Sequence, residues 1–304
     1  MNPVMQGVTV VMLAVFWALN WPMMKIGLTA VEPWTFRAVI VLVGGLGCLL
    51  VAHLAGRSIA IPASDLRPLL WLTLFQGVLW NAFSGFGIAM VEAGRAAVLG
   101  FTMPVWATLL SILFLKEHVT LRRGLGLALG MVAMGLLLWP AFESLGSEMT
   151  GTLLMIGGAI CWGVATVIVK SVDWKMGVLE LSGWQFLIAS GPLILAAVTV
   201  GEPATLKNID MRTGSAMAFS ALIPMIFCQA VWFAVVRRLP ASLASTGTLL
   251  VPPLGVYFAA LILGETVGLF EVLALLLVIA ALVMILPGFN WRASLHPPPA
   301  SRPE

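Results

Sequence analysis

Aromatic and basic side chains recur at helical spacing inside apolar stretches of the sequence. Trp17, Trp21 and Lys25 stand at i, i+4 and i+8, which places all three on one face of a helix. The same spacing joins Trp162, Thr166 and Lys170. Such faces could form matching walls of a binding cavity, in which the rings contact an apolar part of a solute and the lysines attract anions. Equally, the rings could pack in a core and the lysines could extend to the lipid headgroups.

Amide side chains also lie within the apolar stretches, where an unbonded amide costs a few kcal/mol. They are Asn20, Gln76, Asn81, Gln185 and Gln229. They could bind a zwitterionic solute or bond neighbouring helices to each other. Gln76, Trp80 and Ser84 also share one helix face at i, i+4 and i+8. From these patterns we predict a substrate-binding set of Trp17, Asn20, Gln76, Trp80, Asn81, Trp162, Thr166, Gln229 and Trp232.

The sequence contains no familiar catalytic or metal-binding pattern. Its three cysteines are scattered, it has no HExxH motif, and no lysine follows a glycine as a Walker A loop requires. The 13 acidic residues fall in loops, in the tail or near the ends of predicted helices, which disfavours a cation pump driven by a carboxylate in the middle of the membrane. The net charge of +3 is too small to suggest nucleic acid. We therefore predict no catalytic residue, no metal, no cofactor and no nucleic-acid partner.

Composition identifies the elements that must position these side chains. Hydrophobic residues make up 61% of the chain and charged residues 10%, against roughly 45–50% and about 25% in soluble domains. Mean hydropathy is +1.05. Because lipid requires every backbone polar group to be bonded internally, we predict an all-α membrane protein. Ten apolar stretches, each near the roughly 20 residues that cross a bilayer, lie at about 7–28, 34–54, 67–90, 94–115, 121–139, 151–171, 180–200, 214–236, 241–263 and 267–287.

Basic residues in the short loops predict the orientation of the chain. One side of the predicted membrane carries 11 of the 16 lysines and arginines. Taking that side as cytoplasmic places both termini in the cytoplasm. The segment 288–304, with its three consecutive prolines, is predicted to be a disordered cytoplasmic tail.

The two halves of the sequence resemble each other at a constant offset of 148 residues. Matched pairs are Ala93 with Ala241, Pro104 with Pro252, Glu117 with Glu265, and Asn81 with Gln229. Each half, 7–139 and 151–287, holds five predicted helices, and an odd number requires the second half to enter the membrane from the opposite side. Inverted repeats of this kind are typical of secondary transporters. The matched prolines predict a kink or hinge in each half, although an inert kink is a comparable interpretation.

The repeated residues also support a resemblance to a known family. They are Trp17–Asn20, Lys25–Gly27, Arg37, Pro104 and Leu115–Glu117 in the first half, and Trp162, Lys170, the 232–240 segment, Pro252 and Gly264–Glu265 in the second. Over residues 7–287 the chain resembles the drug/metabolite transporter superfamily, and within it the EamA-type ten-helix exporters. The resemblance implies an inner-membrane protein that exports amino acids, related metabolites or amphiphilic compounds through a central cavity. Gln185 stands where the first half has Arg37, so a pairing that needs two arginines is not expected.

These observations predict a secondary transporter of the inner membrane. It would export small metabolites, such as amino acids or related zwitterionic or amphiphilic compounds, by alternating access between the two repeats. Its expected partners are a small-molecule substrate and the lipid bilayer, and the sequence leaves open whether a second copy joins it as a homodimer. The alternatives are a lipid- or drug-translocating protein of the same fold and a membrane-embedded enzyme.

Overall fold

The computed structural model describes residues 3–115, 120–144, 146–238 and 241–285, and these residues form helices without a β-strand. The α-helices are α1 (Pro3–Gly27), α2 (Pro33–Leu54), α3 (Ala63–Leu72), α4 (Trp80–Met90), α5 (Ala93–Gly100), α6 (Met103–Leu115), α7 (Leu121–Ser144), α8 (Ser147–Ser171), α9 (Val178–Thr199), α10 (Met211–Leu222), α11 (Gln229–Arg238), α12 (Ala241–Leu263) and α13 (Leu269–Ile285). Two π-helical segments, Thr73–Leu79 and Ile223–Cys228, join α3 to α4 and α10 to α11. A short 3₁₀ helix spans Pro203–Asn208. The predicted tail at 288–304 and the predicted loop residue Glu117 lie outside the described residues.

The helices are those of a membrane protein, as predicted. Six stretches are long and apolar enough to cross a bilayer: Pro33–Leu54, Ala63–Met90, Ala93–Leu110, Ser147–Ser171, Val178–Thr199 and Met211–Ala234. Four shorter apolar stretches are Val11–Gly27, Gly124–Trp139, Leu250–Leu263 and Leu269–Met284. Large apolar side chains such as Leu46, Leu50 and Leu195 point outward, as contact with lipid requires. The number of ten crossings and the cytoplasmic termini stay predictions.

Helices that correspond at the repeat offset make corresponding contacts. The equivalent helices α2 and α9 pack against each other, and so do α7 and α13. The first helix of one half packs on the fourth span of the other, α1 on α12 and α8 on α6. The first helix also packs on the third span of the other half, α1 on α10 and α8 on α4. The two halves therefore interleave rather than lie side by side.

Glycine lets α2 and α9 approach closely at Gly45. A Cβ atom there would lie 2.7 Å from the backbone nitrogen of Leu187 and 3.1 Å from the carbonyl carbon of Phe186. Close backbone approach through small residues is a common way for membrane helices to associate, because lipid supplies no hydrophobic drive between them. Gly45 thus fixes the spacing between equivalent helices of the two halves.

The matched prolines have different surroundings in the two halves. Pro104 is the second residue of α6, and the helix is interrupted just before it, at Phe101 and Thr102. Proline has no backbone N–H to bond the carbonyl of Gly100, four residues earlier, which accounts for a break at this point. Pro252 lies inside α12, which continues through it without interruption. A helix break therefore accompanies the first proline and not the second.

Candidate functional site

A cavity lies among α1, α2, α4, α8, α9 and the two π-helical segments, so both halves contribute to its wall. Its aromatic lining consists of Trp17, Trp21, Trp80, Phe101, Trp162 and Phe186. Its polar lining consists of Asn20, Arg37, Gln76, Asn81 and Gln229. About 50 Å³ is accessible to the centre of a water molecule, whereas about 10–15 Å³ suffices for one. The space holds a few water molecules and must widen to admit a metabolite.

Four tryptophans form a continuous edge-to-face cluster in the wall. The ring centroids of Trp17 and Trp162 are 5.8 Å apart, those of Trp80 and Trp162 4.8 Å, and those of Trp21 and Trp80 6.5 Å. Edge-to-face contacts at these distances stabilise aromatic pairs beyond the burial of their area. The first half supplies Trp17, Trp21 and Trp80, and the second supplies Trp162. The cluster therefore presents aromatic surface from both halves to any solute in the cavity.

Three buried glutamine side chains connect the halves at the cavity. The Oε1 atom of Gln76 accepts hydrogen bonds from Nε2 of Gln185 at 3.0 Å and from Nε2 of Gln229 at 3.4 Å. Gln76 belongs to the first half and its two donors belong to the second. An amide that bonds another helix in an apolar interior removes a desolvation penalty. Gln76 and Gln229 therefore both line the cavity and bond neighbouring helices, and their contact with a solute stays a prediction.

Arg37 is buried beside the cavity without an acidic partner. Its side chain is 1% exposed, and its guanidinium donates to Oδ1 of Asn81 at 3.3 Å and to Oγ of Ser84 at 2.8 Å. Gly85 leaves room for the arginine stem, since a Cβ there would lie 3.1 Å from Cγ of Arg37. The Nε atom has no hydrogen-bond partner within the described part of the chain. Among the described residues no carboxylate lines the cavity or lies within ion-pair distance of Arg37.

The π-helical segments place polar groups on the cavity side. In the wider π turn, residues five apart lie above one another, which brings Gln76 and Asn81 to the same face. Nδ2 of Asn81 donates to the carbonyl oxygens of Gln76 at 3.2 Å and Gly77 at 2.8 Å. Pro224 and Met225 of the second π segment also line the cavity. Such segments occur most often at functional sites, and nothing in the sequence reasoning anticipated them.

The structure brings most of the predicted set together. Trp17, Asn20, Gln76, Trp80, Asn81, Trp162 and Gln229 line the cavity. Thr166 does not, and its hydroxyl donates to the carbonyl of Trp162 in its own helix at 2.9 Å. Trp232 does not either, because it packs behind Trp17 with a centroid distance of 5.4 Å. Ser84 is buried and contacts Arg37 rather than the cavity.

The sequence reasoning missed several cavity residues. They are Met24, Arg37, Gly100, Phe101, Met103, Phe186, Pro224 and Met225, whereas Trp21 belongs to the helix face that was considered as a cavity wall. Arg37 could have been found, since a lone cation inside an apolar stretch is a functional candidate by default. It entered the sequence analysis only through its repeat equivalence to Gln185 and through the family resemblance. Gly100, Phe101 and Met103 line the cavity because the chain breaks there, before Pro104.

The lysine of the first half lies at the end of α4 and does not line the cavity. Nζ of Lys25 donates to the carbonyl oxygens of Ile88 at 2.8 Å and Val91 at 2.7 Å, at the C-terminal end of α4. Free carbonyls at a helix end attract cations, so this lysine caps α4. Its repeat equivalent, Lys170, is exposed. The two lysines are therefore equivalent in sequence and different in surroundings.

A glutamate of the second half caps the next helix of the first. The carboxylate of Glu265 accepts from the backbone N–H groups of Ala93 at 2.7 Å and Gly94 at 2.9 Å, at the start of α5. A carboxylate at a helix N-terminus satisfies free donors and complements the helix dipole. Lys25 and Glu265 thus hold both sides of the α4–α5 junction, which consists of residues 91 and 92. We refer to these contacts together as the junction clasp.

The chain is similar to transporters over most of its length. A model of the EamA-like transporter family matches residues 5–139 and again residues 149–286. A protein of Salmonella typhimurium described as a "probable amino-acid metabolite efflux pump" is 26% identical over 94% of this chain and 96% of its own. The uncharacterized transporter YoaV of Bacillus subtilis is 25% identical over 93% of this chain and 97% of its own. The uncharacterized inner membrane transporter YedA of Escherichia coli is 26% identical over 91% and 89%.

A solved structure shares the fold. It superposes with a TM-score of 0.67 over 92% of this chain and 94% of that chain. The two sequences are 15% identical. The likeness therefore concerns the fold, the arrangement of the helices.

Proposed function

The chain belongs to the EamA-like transporter family, and we propose that it is a secondary transporter of the inner membrane that exports small metabolites through the central cavity. Family membership makes it a multi-pass membrane transporter and not an enzyme. The substrates we propose are amino acids or related zwitterionic compounds. The Salmonella relative, which bears the name of an amino-acid metabolite efflux pump, supports that choice.

We further propose that residues 7–139 and 151–287 are inverted repeats of five membrane crossings each, with both termini in the cytoplasm. The family model matches the chain twice, at nearly these boundaries. Equivalent helices make equivalent contacts across the halves, as a two-fold relation in the membrane plane requires. The excess of basic residues on one side supports the orientation.

One observation carries the proposal most directly: the cavity is built jointly by the two halves. Gln76 of the first half bonds Gln185 and Gln229 of the second, and the tryptophan cluster crosses the same boundary. A solute there contacts both halves, so a movement of one half against the other changes its access to either side. In inverted-repeat transporters the substrate site lies at this interface.

The junction clasp supports alternating access. Lys25 and Glu265 hold the α4–α5 junction, whereas Lys170, the repeat equivalent of Lys25, is exposed. In a carrier that is closed on one side of the membrane and open on the other, equivalent residues of the two repeats are bonded on the closed side and exposed on the open side. We propose that the clasp closes the side opposite the termini and that transport requires it to open.

Efflux from liposomes that contain the purified protein tests the proposal. Radiolabelled amino acids loaded inside should leave faster than from protein-free liposomes. Gln229→Ala should slow that efflux, because it removes a cavity amide that bonds Gln76. Ser190→Ala is a matched control, since Ser190 is equally buried, bonds within its own helix and does not line the cavity.

The outcomes separate the alternatives. Absence of efflux for a broad panel of amino acids and neutral metabolites, with labelled lipid crossing the bilayer instead, would replace solute export by lipid translocation. Efflux that is equal in the Gln229→Ala variant and in wild type would remove this amide from the transport path.

A further inference from the structure

Resting on the proposed function, we propose that Arg37 binds the carboxylate of the transported solute, so that the substrate class is restricted to compounds that carry a carboxylate. Arg37 lines the central cavity and is 1% exposed. A cation at that depth loses its hydration and needs an opposite charge to recover the cost.

The groups around Arg37 do not supply that charge. Its two hydrogen-bond partners within the described residues, Asn81 and Ser84, are neutral, and its guanidinium carbon also lies 5.9 Å from the centroid of the Phe36 ring. Glu32, the acidic residue nearest to it along α2, is committed elsewhere, since its carboxylate accepts from the backbone N–H groups of Trp34 and Thr35. A carboxylate that enters the cavity would therefore be the negatively charged partner that the residues around Arg37 do not provide.

The unbonded atoms of the cavity indicate how a carboxylate-bearing amine would be oriented. Among the described residues, two buried donors have no hydrogen-bond partner: Nε of Arg37 and Nε1 of Trp162. One buried acceptor, Oδ1 of Asn20, also has no partner there. An unbonded guanidinium Nε–H is a donor that a carboxylate oxygen can accept. The Asn20 oxygen and the tryptophan faces suit an ammonium group. The carboxylate thus lies at Arg37 and the amine lies toward the tryptophan cluster.

The position of Arg37 is itself prepared by the fold. Gly85 leaves space for its stem between α2 and α4, and Asn81 is fixed by bonds to the π-helical carbonyls. The side chain is held in place before any solute arrives, which lowers the entropic cost of binding. Such preparation is consistent with an anion site, whereas an incidental arginine would extend to the membrane surface.

Binding to the purified protein in nanodiscs tests the inference with three matched probes. L-phenylalanine carries both charges, 3-phenylpropanoate carries only the carboxylate, and L-phenylalaninamide carries only the amine. Wild type should bind the first two, and it should bind the amide about 30-fold more weakly or worse, as the loss of one partner of a buried charge pair predicts. Arg37→Gln should lose the preference for 3-phenylpropanoate over L-phenylalaninamide, and Arg37→Lys should fall between because it keeps the charge and loses the planar fork.

Two controls separate a binding role from a structural one. Arg95→Gln changes another buried arginine, outside the central cavity, and should keep the wild-type preference for the acid over the amide. Arg37→Met removes the unpaired buried charge, so the ligand-free protein should melt at or above the wild-type temperature while the preference is lost. A structural role predicts the reverse, a lower melting temperature with the preference retained.

Each remaining result decides a different claim. Amino-acid efflux with equal binding of acid and amide would overturn the role of Arg37 and leave the proposed function standing. A preference for the acid that depends on Arg37, without flux of any amino acid, would overturn the proposed function and leave the carboxylate site. Chloride that competes with 3-phenylpropanoate at millimolar concentration would reassign Arg37 to inorganic anions and overturn the inference.

Discussion

Removal of the Glu265 carboxylate should open the junction clasp. Its two oxygens bond the backbone N–H groups of Ala93 and Gly94, the first two residues of α5. Glu92, which occupies the capping position of that helix, makes no side-chain cap bond. Glu265 therefore supplies from the other half of the protein the cap that the local sequence does not provide.

The size of the effect follows from the lost cap. Loss of an N-terminal cap costs about 0.5–2 kcal/mol of stability. The attraction between a carboxylate and the helix dipole contributes about 0.3–1 kcal/mol of that total. We therefore expect Glu265→Ala to disfavour the closed arrangement by about 1–2 kcal/mol, which is a factor of about 5–30 in the ratio of closed to open protein. Glu265→Gln keeps one acceptor oxygen and loses the charge, so its shift should be smaller.

Distances between spin labels across the clasp measure this ratio. Ala89→Cys and Leu269→Cys place labels on exposed positions of opposite halves, and the native cysteines are buried and so protected from labelling. Wild type should give one narrow distance, and Glu265→Ala should add a second, longer population. Glu271→Ala removes a neighbouring negative charge as a control and should leave the distance unchanged. A Glu265→Ala distribution that superimposes on wild type would refute the role of the cap.

Three further perturbations test the packing and electrostatics. Gln76→Ala should lower the free energy of unfolding by about 1–3 kcal/mol for each of the two glutamine donors left unbonded, and unchanged denaturation curves would contradict the glutamine bridge. Gly45→Ala forces a Cβ to 2.7 Å from the α9 backbone and should lower the melting temperature, whereas Gly135→Ala, with nothing within 4 Å, should not. Burial, and next to it the charge of Glu265, raise the pKa of Glu92 above its ordinary value. Ionised Glu92 therefore destabilises the folded protein at neutral pH. That destabilisation disappears as the pH falls below the pKa of Glu92 in the unfolded chain. Glu92→Gln should therefore raise the melting temperature at neutral pH, with the gain vanishing in acid; a gain that persists in acid would point to a cause other than charge.

The aromatic and amide positions of the cavity were predictable because helical spacing survives in the structure. Trp17 and Asn20 share the inner face of α1, and Trp162 stands at the equivalent point of α8. In lipid the outward faces are predominantly apolar, so an amide inside an apolar stretch indicates the inward face. This part of the site follows from residue type and period alone.

The remaining parts depend on departures from the regular α-helix. The π-helical segment aligns Gln76 with Asn81 at a spacing of five, so a spacing of four does not place them on one face, although each amide was predicted singly. Thr166 has the predicted spacing and does not line the cavity; its hydroxyl bonds its own helix. The burial of Arg37 depends on the space at Gly85, a residue on another helix. Contacts between elements of this kind leave no periodic signal in the sequence.

Entrance counterflow tests the central claim, a carrier whose jointly built cavity faces one side at a time. Liposomes with the purified protein are loaded with unlabelled L-phenylalanine and diluted into tracer-labelled L-phenylalanine. Label should accumulate transiently above equilibrium in wild type and in Arg95→Gln, and the accumulation should be abolished in Arg37→Gln. Label that only equilibrates in wild type would contradict the carrier, whereas equal accumulation in Arg37→Gln would overturn only the role of Arg37.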